Sequence, residues 1–258
     1  MSLQAYYDSL PPDQQALQFG LAGVDPLGHA FPRKRVVHAG LHGQLIAPAE
    51  SQQIWQDIMS RPPTGRDVQT AYIHIPFCAK RCLYCDFFSN TDMKFKEPYV
   101  SAVIREMQLR QEYIGGEPLD TIYFGGGTPS QLQQADFERI FKAIDCLFNI
   151  SSCKEITLEA NPDDMTPEYV ASLRNLPFNR VSMGVQSFKE KDLHFLNRRH
   201  DREQALRAVG LCKENGIQNI SIDLIYGLPG QTLEKWQENL DDAIHLEIPH
   251  ISAYHLIY

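Results

Sequence analysis

The chain has 258 residues and a net charge of −8, with a pI near 5.6, a balance that argues against a nucleic-acid binder held by phosphate contacts. No run of about 18 apolar residues exists, which excludes a transmembrane helix, and Met1-Ser-Leu-Gln-Ala-Tyr-Tyr-Asp8 has neither the basic region nor the apolar core of a secretory signal. The six cysteines, three of them clustered, do not make a disulfide framework in a chain this size; the thiols read as reduced and the protein as cytoplasmic.

Residues 1–69 form an N-terminal extension of irregular texture. Pro11-Pro12, Pro26, Pro32, Pro48 and Pro62-Pro63 interrupt any long element. Short helices are expected at 12–19 and 49–60, the second with Ile54, Trp55, Ile58 and Met59 as a helical stripe that packs an arm onto a core. Arg33, Lys34 and Arg35, with His38 and His42, make a small basic segment, either a solvated face or a contact for an anionic ligand.

From residue 70 to 258 the texture becomes regular. Strands are expected at 71–75, 121–124, 155–159, 180–186, 220–225 and 250–256, and amphipathic helices at 99–113, 135–147, 167–175, 189–195, 202–215 and 233–246. Thr166-Pro167 reads as an N-cap followed by proline at the first helical position. Asn215-Gly216 reads as a helix stop, and Thr232 ahead of Glu234 as a second N-cap. Near-continuous apolar strands separated by helices imply parallel strands with right-handed crossovers. Six such steps predict an α/β fold, a partial (β/α)6 TIM-like barrel. The chain stops on the sixth strand, so a last helix and a C-terminal domain are expected to be absent.

In barrels of parallel strands the functional groups sit at the C-terminal strand ends. The first strand runs into Cys78-Ala-Lys-Arg-Cys82-Leu-Tyr-Cys85. Three thiolates on so short a loop can converge on one face of a metal centre, and a [4Fe–4S] cube held at three corners keeps one iron open. Zinc sites usually show two ligand pairs, and the only nearby fourth ligand is His74, on the strand itself. Spacing favours the cluster and leaves zinc and inert thiols open. The second strand runs into Gly125-Gly126-Gly127-Thr128-Pro129-Ser130. Three glycines admit a ligand close to the backbone and expose N–H groups to a carboxylate or phosphate, unless they merely make a tight turn; the Gly-Lys-Ser/Thr end of a Walker A loop is missing. Glu159 ends the third strand and needs a partner, either a ribose diol or a structural salt bridge. The fourth strand carries Gln186, with Arg198 beyond it. The fifth carries Asp223 among apolar neighbours, which a buried acid does not tolerate unpaired. Cys146, Cys153 and Cys212 read as packing thiols.

Taken together, Tyr72-Ile-His-Ile-Pro-Phe-Cys78, Cys82-Leu-Tyr-Cys85-Asp-Phe-Phe, Tyr123-Phe-Gly-Gly-Gly-Thr-Pro-Ser130, Leu158-Glu-Ala-Asn-Pro162, Met183-Gly-Val-Gln-Ser187, Asn197-Arg198 and Asp223-Leu-Ile-Tyr-Gly-Leu-Pro-Gly230 carry a resemblance. The cysteine loop resembles the signature loop of the radical S-adenosylmethionine (SAM) superfamily, where SAM chelates the open iron, and this decides for the cluster. Residues 71–258 are similar to its oxygen-independent coproporphyrinogen III oxidase group and, within that, to the HemW branch of haem chaperones. The resemblance implies Cys78, Cys82 and Cys85 as cluster ligands and Tyr72, Gly126 and Glu159 around the cluster-bound SAM. In the true oxidases a second SAM is held at positions matching Gly127, Thr128, Gln186, Arg198 and Asp223.

Two departures bear on function. The oxidases carry another cysteine two residues after the third ligand, where this chain has Phe87, which favours the chaperone branch. The stretch from Phe31 to Gly43 looks instead like the leader of HutW/ChuW, the anaerobic haem-degrading radical SAM methyltransferases, although that family has glycine where this chain has Asp86. The resemblance implies a protein that handles haem or a related tetrapyrrole, with a haem-acceptor protein and a flavodoxin- or ferredoxin-type electron donor as partners. The alternatives are haem methylation, coproporphyrinogen oxidation, or a truncated, inactive barrel. His38, His42, His74, His250 and His255 are candidate iron ligands, and no residue is assigned a catalytic role.

Overall fold

The computed structural model describes residues 68–256 apart from Gly115, together with Pro11 and four positions between Gln53 and Ser60. The chain divides into two units, Met1–Pro62 and Pro63–Tyr258, and the elements that follow belong to the second. The helix expected at 12–19, most of that at 49–60, and the basic segment with His38 and His42 lie outside the described residues.

Six strands, β1 (Thr70–Ile75), β2 (Thr121–Gly126), β3 (Glu155–Ala160), β4 (Arg180–Gln186), β5 (Asn219–Tyr226) and β6 (His250–His255), form one sheet in sequence order. Every neighbouring pair is parallel. The helices between them are α1 (Lys96–Arg110), α2 (Gln134–Leu147), α3 (Pro167–Leu173), α4 (Glu190–Phe195), α5 (Arg202–Glu214) and α6 (Leu233–His245). Parallel strands in sequential order with helices between them are the wall of a partial TIM-like barrel.

Side chains alternate across this wall. Ile73, Ile75, Ile122, Phe124, Ile156, Leu158, Val181, Met183, Ile220, Ile222 and Leu224 are buried in one core with Val100 of α1, Phe137 and Ile140 of α2, and Ala205, Ala208 and Val209 of α5. Phe124, Phe137 and Phe178 meet edge-on with ring centroids 5.0–5.5 Å apart, and burying each such ring contributes about 2 kcal/mol. The opposite face is polar. Arg180 donates to Thr157 Oγ1 at 3.3 Å and Ser221 Oγ at 3.0 Å, and Ser221 bonds Ser182 at 3.0 Å. The strands are therefore apolar toward the helices only, and not near-continuously as expected.

Element ends follow local chemistry. Thr166 Oγ1 accepts from Tyr169 N ahead of Pro167, and Thr232 caps α6 in the same way. Helix α1 starts at Lys96, earlier than expected, because Pro98 lies in the first turn, where no intrahelical N–H is required. Strand β2 continues through Gly125 and Gly126, which pair with His74 and Ile75.

Candidate functional site

The cysteine loop leaves β1 at Pro76 and is pinned at both ends. Asn90 N donates to Pro76 O at 2.7 Å and Cys78 N to Asn90 O at 3.0 Å, while buried Phe77 stands edge-on to Tyr99. The middle of the loop is tied to the turn after α4: Asn197 Nδ2 donates to Arg81 O at 3.0 Å, and Leu83 N to Leu196 O at 3.4 Å. Asn197 has φ +59°, in the left-handed region that asparagine tolerates best among side-chain-bearing residues. Cys78 is buried; Cys82 and Cys85 are partly exposed.

The glycine loop comes close to this one at Gly127 and Thr128. Gly127 N donates to Ile75 O at 2.8 Å. A Cβ on Gly127 would stand 2.7 Å from the Pro76 carbonyl carbon and 3.0 Å from Cys78 Sγ, so only glycine fits. Gly126 has φ +118° and gives its N–H to Glu159 Oε2 at 3.1 Å. Two N–H groups expected to face a ligand are thus bound within the protein, and what the loop offers the cavity is space. Glu159 Oε1 accepts from Tyr123 OH at 2.7 Å. Burial pushes the Glu159 carboxyl above its usual range, against these two bonds, which pull it down. Its partners are a phenol and a backbone amide; among the described residues it forms no salt bridge.

Beyond β4 the backbone distorts. The register with β5 shifts between Met183 and Gln186, and Gln186 has φ +69°, strain that tends to collect at ligand sites. Arg198 reaches inward from the turn after α4 and is almost fully engaged. Its Nη1 stands 3.2 Å from Cys82 Sγ and 3.4 Å from Tyr84 OH, and its Nη2 donates to Asn161 Oδ1 and Gly184 O, both at 2.6 Å. Only its Nε is buried without a partner. Burial raises the Asp223 carboxyl, and the Ser252 hydroxyl and Arg180 pull it down.

These groups enclose one cavity of about 450 Å³ at the C-terminal ends of the strands. Tyr72, Gly126, Gly127, Thr128, Glu159, Gln186, Arg198, Asp223 and the three cysteines all line it. Of the histidines, His255 lines it, whereas His74 and His250 do not; the His74 ring lies behind Gly126. Asn161, Tyr84 and Tyr254 also line the cavity and were not nominated from sequence. Asn161 sits inside the quoted Glu-Ala-Asn-Pro run, so its signal was present without a role. Cys153 and Cys212 lie elsewhere and have thiols raised by burial, as packing cysteines should, whereas Cys146, expected to pack with them, is exposed on the last turn of α2.

The donor set fits an iron–sulfur cluster. Thr128 Oγ1 donates to Cys78 Sγ at 3.4 Å and the Arg198 guanidinium faces Cys82 Sγ; a hydroxyl and a cation aimed at sulfur suit thiolates. Among the described residues no three side chains gather around one point as ligands of a single ion would, and the cysteines of a cube, which bind different irons, need no such convergence.

The family profile described as the Radical SAM superfamily matches residues 72–243. The chain belongs to the radical SAM superfamily. Its relatives include "Heme chaperone HemW" of Synechocystis sp., 42% identical over an alignment of 197 residues that covers 72% of this chain and 47% of the relative. The protein of the same name from Escherichia coli is 37% identical over 188 residues, 72% of this chain and 50% of that one. This radical SAM chain thus spans about half the length of the curated relatives it matches. Among solved structures, the coproporphyrinogen III oxidase HemN of Escherichia coli, described as a radical SAM enzyme, superposes with a TM-score of 0.71 at 30% identity, covering 79% of this chain and 47% of that one. The radical SAM methyltransferase TsrM of Kitasatospora setae, at 17% identity and a TM-score of 0.54 over 72% of this chain and 35% of that one, shares the fold. The superfamily implies a [4Fe–4S] cluster and SAM. The likeness of residues 31–43 to HutW/ChuW finds no support in these comparisons. Among the described residues no helix is long and apolar enough to cross a membrane.

Proposed function

We propose that this chain is the radical SAM barrel of a HemW-type haem-handling protein that works in the cytoplasm. The observation that supports this most directly is that eleven residues nominated for cluster and SAM, from loops far apart in sequence, line one cavity. In this reading Cys78, Cys82 and Cys85 would hold the cluster, and Tyr72, Gly126 and Glu159 would line the place of the SAM bound to it. When bound and reduced, the cluster supplies the electron that cleaves the sulfonium S–C bond of SAM. The protein's part is positional. Tyr123 and Gly126 fix both oxygens of Glu159, whose remaining lone pairs face the cavity as a preset acceptor for a ribose hydroxyl. Gly127, Thr128, Gln186, Arg198 and Asp223 bound the rest of the cavity, for a second SAM or an edge of the haem. Haem would pass to an acceptor protein, and a flavodoxin- or ferredoxin-type protein would supply electrons.

A second reading is coproporphyrinogen oxidation, favoured by the structural likeness to HemN and opposed by Phe87, which stands where the oxidases carry cysteine. Anaerobically reconstituted protein tests both. Iron and sulfide in cluster proportion, with an EPR signal that changes on adding SAM, are expected; zinc in place of iron sinks the whole reading. With haem and dithionite added, stoichiometric unchanged haem supports the chaperone, whereas a methylated or ring-opened product supports the methyltransferase alternative. Loss of CO2 from coproporphyrinogen supports the oxidase.

A further inference from the structure

One chain of hydrogen bonds joins two of the three cluster cysteines along the cavity wall. Thr128 Oγ1 donates to Cys78 Sγ at 3.4 Å, and Asn161 Nδ2 donates to Thr128 Oγ1 at 3.3 Å. Asn161 Oδ1 accepts from Arg198 Nη2 at 2.6 Å, and Arg198 Nη1 reaches Cys82 Sγ at 3.2 Å. Asn161 touches neither sulfur, yet it bears on both contacts. Because its amide N–H occupies a lone pair of the Thr128 oxygen, the threonine proton is left for Cys78. Its carbonyl, together with Gly184 O at the same 2.6 Å, holds Nη2 and so turns the guanidinium for Nη1 to meet Cys82.

Asn161 is itself held firmly. Its backbone N donates to Ser130 Oγ at 3.3 Å, Ser130 Oγ donates to Asp164 Oδ2 at 2.7 Å, and Arg199 pairs with Asp163 at 2.7 Å. Three loops, after β2, after β3 and after α4, thereby meet at this one side chain. A purely structural asparagine would satisfy its backbone surroundings. This one faces the cavity and is bonded on both sides to groups whose other ends are sulfur.

We infer that Asn161 is a positioning residue that sets the reduction potential of the cluster, by aiming the Thr128 hydroxyl and the Arg198 guanidinium at the cysteine sulfurs. The inference rests on the reading that Cys78, Cys82 and Cys85 hold a [4Fe–4S] cluster. Reduction adds an electron to the cluster, and donors to its thiolates, together with a neighbouring cation, stabilise the reduced form; their loss moves the potential down.

The test is the midpoint potential of the anaerobically reconstituted full chain, read by EPR during stepwise reduction, with iron and sulfide measured on each sample. Wild-type protein without iron and sulfide overturns the reading of the cysteines, and with it the inference. Given a loaded wild type, Asn161→Leu is expected to lower the potential at unchanged iron content, and Thr128→Val to lower it less. Thr128→Ser, which keeps the hydroxyl, is expected to stay near wild type. Adding Thr128→Val to Asn161→Leu is expected to shift the potential no further, since both break the same relay. A wild-type potential in Asn161→Leu, or an equal fall in Thr128→Ser and Thr128→Val, overturns the inference. Should Asn161→Leu fail to fold, the Thr128 pair decides alone.

Discussion

Two arginines inside the barrel, eighteen positions apart in sequence, show how differently its floor and its mouth are built. Arg180, on β4, lies on the polar inner face, and its bonds end within the fold: Thr157, Ser221 and, at 3.8 Å, Glu155, whose carboxylate also accepts from Thr157. Arg198, at the mouth, points the same fork at Cys82 and Tyr84 on one side and at Asn161 and Gly184 on the other, and leaves Nε buried without a partner. Nearby, Glu159 and Asp223 are carboxylates whose burial works against their charge. The floor is a closed network that stabilises the barrel. The mouth holds charge in place at a cost to the empty protein, as expected where a ligand completes the set.

If that contrast is right, substitutions at the mouth should change loading more than folding, and substitutions at the floor the reverse. The largest effect belongs to the cysteines. Cys82→Ser is expected to abolish cluster assembly, read as iron per chain after reconstitution, while the melting temperature of the metal-free protein stays near wild type, because Cys82 is partly exposed. Gly127→Ala comes next and is the exception that defines the border between the regions. Its Cβ would collide with the Pro76 backbone, which cannot retreat as a flexible side chain could. Denaturant unfolding of the metal-free protein should show a loss of about 3 kcal/mol, together with poor cluster loading. Arg180→Met should destabilise the metal-free protein by about 2 kcal/mol, through the bonds left unmade at Thr157 and Ser221, yet leave iron content unchanged. Reduced iron in that variant would show that floor and mouth are one unit.

Much of this division was readable in advance, though for partly mistaken reasons. The strands were placed from their apolar residues, and all six are present. Their alternation, plain in Glu155-Ile-Thr-Leu-Glu-Ala and Asn219-Ile-Ser-Ile-Asp-Leu, departs from the near-continuous apolar run expected of strands buried on both faces. It was the polar half of that pattern that announced the lined interior. The cysteines were legible from their spacing, Glu159 and Asp223 because acids on apolar strands need partners, and Arg198 only through the family resemblance. Asn161 was not, because its importance arises only where three loops cross, and neutral amides carry no comparable penalty to flag them in a sequence. Nor was the internal use of the Gly126 and Gly127 N–H groups. The Gly127 bond depends on β2 running two residues further along β1 and the Gly126 bond on the Glu159 side chain of β3, while glycines, poor strand formers, blur where the strand ends.

The smallest effect separates the two regions by pH. Burial holds the folded Glu159 carboxyl above its ordinary value of 4.5, so in the window above that value the folded metal-free protein binds more protons than the unfolded chain. Its stability therefore carries a contribution that is present in mild acid and lost as pH rises through the folded-state value. Glu159→Gln removes the titration. Its amide oxygen can still accept from Gly126 N–H while the NH2 donates to Tyr123 Oη, so the exchange adds only a pH-independent offset of at most about 1 kcal/mol. Relative to wild type, the variant should be least stable in mild acid, with the gap closing from about pH 4.5 toward neutrality, as urea midpoints across that range would show. A gap that stays constant or widens would mean that Glu159 is settled in the empty protein as comfortably as the groups around Arg180. The mouth would then lose its claim to being held at a cost until a ligand arrives.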